Sequence, residues 1–222
     1  MTALGFDLTP GQARTVYDRI GRAQDWQRFY EDAATTELVA HAAFGDAQAV
    51  VELGCGTGRF ATRLLGELLP ATATYLGVDV SPRMVTLATE RLTPWRDRAT
   101  VELADAGERL PRPDGSADRV VSNYVFDLLS PEATRATVDE AHRVLAPGGL
   151  LCVAGLTPGE AGLAREVSHT WKRVWMRWPV LVGGCRPIRL ADALDDARWE
   201  VRHRRVVAPW GIASEAVVAV RV

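Results

Sequence analysis

Apolar and polar positions along this chain follow two different periods, and the change between them comes near residue 49. From 11 to 44 the apolar residues Val16, Ile20, Trp26, Phe29 and Tyr30 recur at roughly helical spacing with charges between them. Thr9-Pro10 is a start signal and Gly45-Asp46 a stop, so a helical cap is predicted. From 49 onward, short apolar runs alternate with amphipathic ones. Strands are predicted at 49–53, 74–78, 100–103, 119–122 and 150–155. Helices are predicted at 60–69, 82–92 and 131–145, with a Pro147-Gly148-Gly149 turn before the fifth strand. Such alternation implies a mostly parallel sheet with helices on both faces.

The end of the chain breaks this rhythm. Runs 199–207 and 216–222 are both strand-like, and the residues between them, including Pro209, Trp210, Gly211 and Ser214, are too few for a crossover helix. The two runs are therefore predicted to pair as an antiparallel hairpin. Between the fifth strand and this hairpin lies an irregular stretch carrying Trp171, Trp175, Trp178 and a turn at 183–187. There is no repeat and no low-complexity segment. The expectation is one domain over 1–222. It has a helical cap (1–45), a cofactor-binding core (46–155), a lid or insert (156–198) and a closing hairpin (199–222).

Composition narrows the function classes. With 222 residues and 47% apolar content, the chain can bury a full core. Its net charge of −2 gives no global field to attract nucleic acid. Lys172 is the only lysine, which reads as codon bias. No apolar run is long enough to span a bilayer, and no basic-then-apolar leader opens the sequence. Cys55, Cys152 and Cys185 are odd in number and widely spaced. They suit reduced thiols in the cytoplasm better than a disulfide framework or a zinc site, and no metal is expected.

The most informative segment is Val50-Val51-Glu52-Leu53-Gly54-Cys55-Gly56-Thr57-Gly58-Arg59-Phe60. An apolar strand ends in an acid, and three glycines follow at alternate positions, which lets backbone approach a ligand closely. A dinucleotide fingerprint needs a glycine or alanine three positions after its second glycine; here that position is Arg59. A Gly-Lys-Ser/Thr phosphate loop is also absent. Asp79 ends the second strand, 25 positions after Gly54, and adjacent strands would bring it beside the glycine loop. Two roles are open to it: accepting both ribose hydroxyls of a nucleoside, or, like Ser81, capping the helix at Pro82. Asp105 follows the third strand, where it can accept an adenine amine or make an ordinary turn. Asn123 and Tyr124 end the fourth strand, at the carboxyl edge where ligands bind.

In order and spacing, these landmarks and the Leu145 to Leu150 turn resemble the class I S-adenosylmethionine (SAM) methyltransferases, well over 46–155. The resemblance implies an α/β fold, a Rossmann-like doubly wound seven-stranded sheet, mostly parallel, with an antiparallel last strand inserted between its neighbours. It implies that Glu52, Gly54, Cys55, Gly56 and Gly58 cradle the amino-acid half of SAM. Asp79 and Val80 would serve the ribose, and Asp105 and Ala106 the adenine. Met84 would pack on the adenine face, unless it only fills core. Asn123 and Tyr124 complete the expected cofactor set. The product would be S-adenosyl-L-homocysteine. SAM is already activated, so alignment of a nucleophile supplies much of the catalysis, about 7–11 kcal/mol in favourable cases. A general base is needed only for acceptors such as phenols or ammonium groups.

The acceptor is expected to be a small, apolar or lipid-like molecule. Val16-Tyr17-Asp18-Arg19-Ile20 is similar to the opening of the quinone-biosynthesis and phospholipid N-methylating groups. That similarity would close Tyr17 over the methyl site; packing within the helix is the alternative. In 169–178, Trp171, Val174, Trp175 and Trp178 fall on one helical face, with Lys172, Arg173 and Arg177 mostly elsewhere. A lid on the core and a membrane-surface helix are both open, and His169 is a candidate base. Cys185 would border the pocket without being reactive. The expected protein is cytoplasmic, with peripheral membrane contact open through 169–178. Nucleic acid is not expected as a partner, because the fourth-strand end reads Asn123-Tyr124-Val125-Phe126 and lacks the Pro-Pro-aromatic tetrad. A non-catalytic SAM-binding or adaptor role is the alternative to an enzyme.

Overall fold

A computed structural model describes residues 28–104, 109, 110, 112–178, 182 and 184–222. The expectations for Tyr17, Trp26, Asp105, Ala106 and Gly183 lie outside the described residues. The strands are β1 (Ala49–Leu53), β2 (Thr74–Asp79), β3 (Ala99–Leu103), β4 (Ala117–Asn123), β5 (Leu145–Leu156), β6 (Trp199–Val207) and β7 (Ser214–Arg221). They form one sheet in the order β3-β2-β1-β4-β5-β7-β6. Parallel pairs join β1 to β2 and β4, β2 to β3, and β4 to β5. Only β7 runs against its neighbours, lying antiparallel to both β5 and β6. The short 208–213 connection leaves no other way back, as the hairpin expectation required.

Helix α1 (Arg28–His41) and helix α2 (Arg59–Arg63) cover one face of the sheet. From α1, Ala34 and Leu38 stand four residues apart and are fully buried, so one stripe of the helix meets the core. Helix α3 (Pro82–Arg91) packs on β2 and β3. Helix α4 (Pro131–Val144) covers the opposite face with Val138, Ala141 and Val144, spaced by three. Burial of side chains such as Leu38, Leu76 and Leu151 contributes about 1.5–3 kcal/mol each. Serine caps start α3 and α4: Ser81 Oγ accepts the Met84 N–H, and Ser130 Oγ the Ala133 N–H, each at 3.2 Å. Proline follows each cap, where its missing N–H costs nothing.

Three elements differ from their sequence-based bounds. The predicted helix at 60–69 is α-helical only to Arg63, and Leu64–Leu68 forms a π turn closed by a Leu69 N–H to Leu64 carbonyl bond of 2.8 Å. The fifth strand starts at Leu145, not 150. Leu145 pairs with Ala117, the register shifts across Pro147-Gly148-Gly149, and pairing resumes at Arg119 and Leu150. The stretch expected to be irregular contains a long helix, α5 (Gly162–Arg177). Trp178 lies beyond its end with non-helical dihedrals and is 57% exposed, so the four-residue apolar face is reduced to Trp171, Val174 and Trp175.

The topology fixes where a ligand can bind. Strands β2 and β3 lie on one side of β1, and β4 and β5 on the other. The connections therefore diverge at β1 and β4, and a crevice opens at their carboxyl ends.

Candidate functional site

The glycine loop leaves β1 at this switch point. Gly54, Gly56 and Gly58 all have positive φ, at 68°, 52° and 76°. Gly54 and Cys55 donate their N–H groups to the Val78 carbonyl at 2.8 and 3.0 Å, which ties the loop to the end of β2. Arg91 of α3 donates to Thr57 Oγ1 at 2.7 Å and holds the far side. Asp79 completes the frame. Its Oδ2 accepts the Gly56 N–H and its Oδ1 the Ser81 N–H, each at 2.9 Å. Ser81, not Asp79, is the helix cap. Both carboxylate oxygens therefore face the loop and the start of α3, at the end of β2.

Protein atoms, not only a ligand, demand two of the glycines. A Cβ on Gly54 would stand 2.3 Å from Val125 Cγ2, and one on Gly58 would stand 3.1 Å from the Ala88 Cα. The third glycine thus lets α3 approach the loop, which sequence reasoning assigned to ligand access. Glu52 lies under the loop, 2% exposed, and accepts the Tyr75 hydroxyl at 2.6 Å. Burial pushes its pKa to about 8, against the lowering effect of that bond and with Asp79 adding to the rise. Cys55 is buried beside it, and burial followed by Asp79 and Glu52 raises its thiol pKa, so it is no nucleophile. Val80 is half-buried beside Asp79. Met84 is 1% exposed within α3, the position of a core side chain.

At the end of β4 the backbone is strained. Tyr124 has φ 56° without being glycine, a conformation that costs energy and clusters at functional sites. Both polar atoms of the Asn123 amide are buried without a partner among the described residues. An orphaned amide at the crevice, a backbone loop and a carboxylate at the β2 end fit the polar amino acid and ribose of SAM.

Beyond Tyr124 lies a buried aromatic cluster. Tyr30 from α1, Leu156 from the end of β5, and Cys185 are buried there, with Tyr124, Leu128, Trp171 and Ile212 packed against them. The Trp171 and Trp175 indoles donate to the Cys185 and Gly184 carbonyls at 2.9 and 3.0 Å, fastening the chain after α5 back onto that helix. These bonds pack α5 against the chain that follows it. His169 stands on the exposed side of α5, outside this cluster. Sequence reasoning missed Asp127 and Glu31. Asp127 is fully buried and its pKa is pushed to about 7 by burial, eased by its own N–H, the Cys185 thiol and Arg186. Glu31 is also raised to about 7 by burial, against Arg59, with Asp127 and Asp32 adding to the rise. An acid inside the apolar run Val125-Phe126-Asp127-Leu128-Leu129 was the available signal. No described helix is long and apolar enough to cross a membrane.

Comparison with known proteins agrees with this geometry. Residues 50–149 match the family described as Methyltransferase domain. A malonyl-[acyl-carrier protein] O-methyltransferase of Marinomonas sp. is 31% identical over 156 residues, covering 70% of this chain and 54% of that protein. A carboxy-S-adenosyl-L-methionine synthase of Chromohalobacter salexigens is 34% identical over 107 residues, covering 47% of this chain and 38% of that protein. The chain thus spans about half or less of the length of these curated relatives. Among solved structures, the N-methyltransferase NodS of Bradyrhizobium japonicum, in complex with S-adenosyl-L-homocysteine, shares the fold. Its TM-score is 0.70 at 17% identity, over 94% of this chain and 98% of that one. The glycine loop, the acid at the end of β2 and the sheet order agree with this match: residues 50–149 form a methyltransferase domain.

Proposed function

We propose that this chain transfers the methyl group of SAM to a small acceptor bound against the aromatic cluster beneath α1 and α5. One observation carries the reading. The turn after β4 has two neighbours: Val125 lies on Gly54 of the cofactor loop, and Tyr124 packs on the aromatic cluster. A cofactor on the loop and an acceptor against the cluster would meet across that turn.

Bound SAM supplies a methyl group activated by its sulfonium charge. The chain's part is to bind, align and exclude water. In this reading Glu52, Gly54, Cys55, Gly56 and Gly58 surround the amino-acid half, and the Asn123 amide and Tyr124 border it. Asp79 and Val80 take the ribose. Asp105, Ala106 and Met84 remain the proposed adenine contacts, and Tyr17 the proposed closure over the methyl site. The apolar walls of Leu128, Leu156, Trp171 and Ile212 support an acceptor with an apolar body. Relatives named for methylating malonyl-[acyl-carrier protein] and demethylmenaquinone also support a small acceptor. Peripheral lipid contact through 169–178 is supported by exposed Met176 and Trp178 beside Lys172, Arg173 and Arg177. Flotation with anionic liposomes tests it.

The central test is calorimetry of SAM binding, followed by a screen of quinols, aminophospholipids, amines and thiols with labelled SAM. Binding together with labelled product supports the proposal. Absence of SAM binding refutes it.

A further inference from the structure

The far edge of the sheet carries a cluster of side chains that methyl transfer does not use. Glu37 and His41 stand four residues apart near the end of α1, so they share one face of the helix. His203 reaches them from the edge strand β6, where it pairs with Val218 of β7. Its Nε2 lies 3.0 Å from Glu37 Oε1, and His41 Nδ1 lies 3.6 Å from the same oxygen. One ligand atom from each of the three residues lies within 4.8 Å of the other two. Strand β6 stands four strands away from β1 in the sheet, so this group is separate from the glycine loop.

Hydrogen bonding does not account for the arrangement. Glu37 Oε1 and His203 Nε2 are both buried, and neither meets a partner in good hydrogen-bonding geometry among the described residues. Two electron-rich atoms 3.0 Å apart repel unless positive charge lies between them. A proton on Nε2 would be poorly aligned with the oxygen, whereas a metal ion can bond to both lone pairs from one side. With bonds of about 2.0–2.1 Å and tetrahedral angles, neighbouring ligand atoms of a zinc ion stand about 3.3 Å apart. The separations of 3.0 and 3.6 Å bracket that value.

The surroundings leave these atoms available. Arg205 stands 3.5 Å from the other carboxylate oxygen, Oε2; its side chain is 64% exposed, so water screens its charge. His41 Nδ1 is 3.0 Å from the Glu37 carbonyl, which the helical ladder already supplies with a donor, so that contact is cheap to release. The two imidazoles are stacked, with 3.5 Å between centroids and 6° between planes. His41 must turn out of the stack to aim its lone pair at an ion shared with His203, and its exposed side chain has the room.

Two imidazoles and one carboxylate suit zinc and neighbouring transition ions, whereas magnesium and calcium take oxygen ligands. We propose that Glu37, His41 and His203 form a zinc site, with water in the fourth position, that staples the end of α1 to β6. Sequence spacing carried no metal signal because His203 lies on a distant element. The ion takes no part in methyl transfer. It fixes the cap helix, whose first turns carry Tyr30 into the aromatic cluster.

Zinc titrated calorimetrically into chelator-treated protein tests the site. The expected result is one ion per chain, and cobalt in place of zinc should give visible absorption from a low-symmetry nitrogen and oxygen ligand set. With free zinc at about a hundred times its Kd, the unfolding midpoint should rise by about 5–10 °C. Loss of an outer partner of a metal ligand costs about 10–100-fold in affinity, so loss of a ligand itself should reach about a hundred-fold or more. His203→Ala and His41→Ala should each weaken zinc by that factor and remove the thermal shift. His41 is exposed, so its variant decides the matter if His203→Ala folds poorly. Absence of zinc binding in the parent protein overturns the site. So does binding with an unaltered thermal shift in both histidine variants, which would place the ion on other side chains.

Discussion

The Asp79 carboxylate accepts the amide hydrogen of Gly56 at 2.9 Å, so the residue expected to hold a ribose also holds the loop that cradles the other half of the cofactor. Removing the carboxylate has two consequences: a lost anionic acceptor and a loosened loop. Asp79→Ala is expected to weaken SAM binding about 10- to 100-fold, the worth of one or two hydrogen bonds to a charged group. Asp79→Asn keeps one acceptor oxygen and should lose less. Calorimetry on the three proteins checks the ranking; equal affinities would remove Asp79 from the site.

Gly54→Ala makes a sharper test of which atoms demand glycine. The new Cβ would stand 2.3 Å from Val125 Cγ2, on a residue whose φ is 68°. Gly148 has φ 77°, and a Cβ there would meet nothing within 4 Å, so Gly148→Ala carries only the backbone cost, about 1–2 kcal/mol. Gly54→Ala should cost more than Gly148→Ala in urea unfolding. Adding Val125→Ala removes the clashing methyl and should recover part of that difference. Failure of the second substitution to recover any stability would mean that the loop conformation alone requires the glycine.

Much of the fold was legible because its signals are local. The β1 run, the glycines after it and the acid closing β2 lie in short windows, and the brief connection before β7 forces an antiparallel return. Ser81 and Ser130 each announce a helix through the proline that follows. What escaped reading depends on distant partners. Nothing near Gly54 in sequence predicts Val125, and nothing near Gly58 predicts Ala88. Glu31 resembles a surface acid until the fold buries it. The π turn after α2 and the helical span of α5 likewise reflect packing that periodicity does not encode.

Arg59 is the departure from a dinucleotide fingerprint, and the structure gives it a use. From the first turn of α2 it reaches Asp32 at 2.8 Å and Glu31 at 3.4 Å, linking the cofactor loop to the cap helix. The pair with Asp32 is exposed, so Arg59→Ala should cost only about 0.5–1 kcal/mol of stability. Its effect on Glu31 is larger in kind. Arg59 lowers the Glu31 pKa against burial, and its loss should leave that carboxyl protonated at neutral pH. Acceptor KM should rise while SAM affinity holds. A variant with parent KM would show that α1 is held without this link.

Stability should fall as pH rises through neutrality. Glu52, Glu31 and Asp127 have folded pKa values of about 8, 7 and 7, above their ordinary carboxylate values. Between the ordinary and the raised value, the folded chain holds protons that the unfolded chain has released. The unfolded state is then the less protonated, and each pH unit across that window costs up to about 1.4 kcal/mol per group. Unfolding in urea at pH 6 and pH 8.5 should show the lower stability at the higher pH. Glu52→Gln keeps an acceptor for the Tyr75 hydroxyl and removes the charge, so it should flatten part of that slope and stabilise the protein at pH 8.5. A slope identical in parent and variant would mean that Glu52 titrates near its ordinary range and that its carboxylate reaches water.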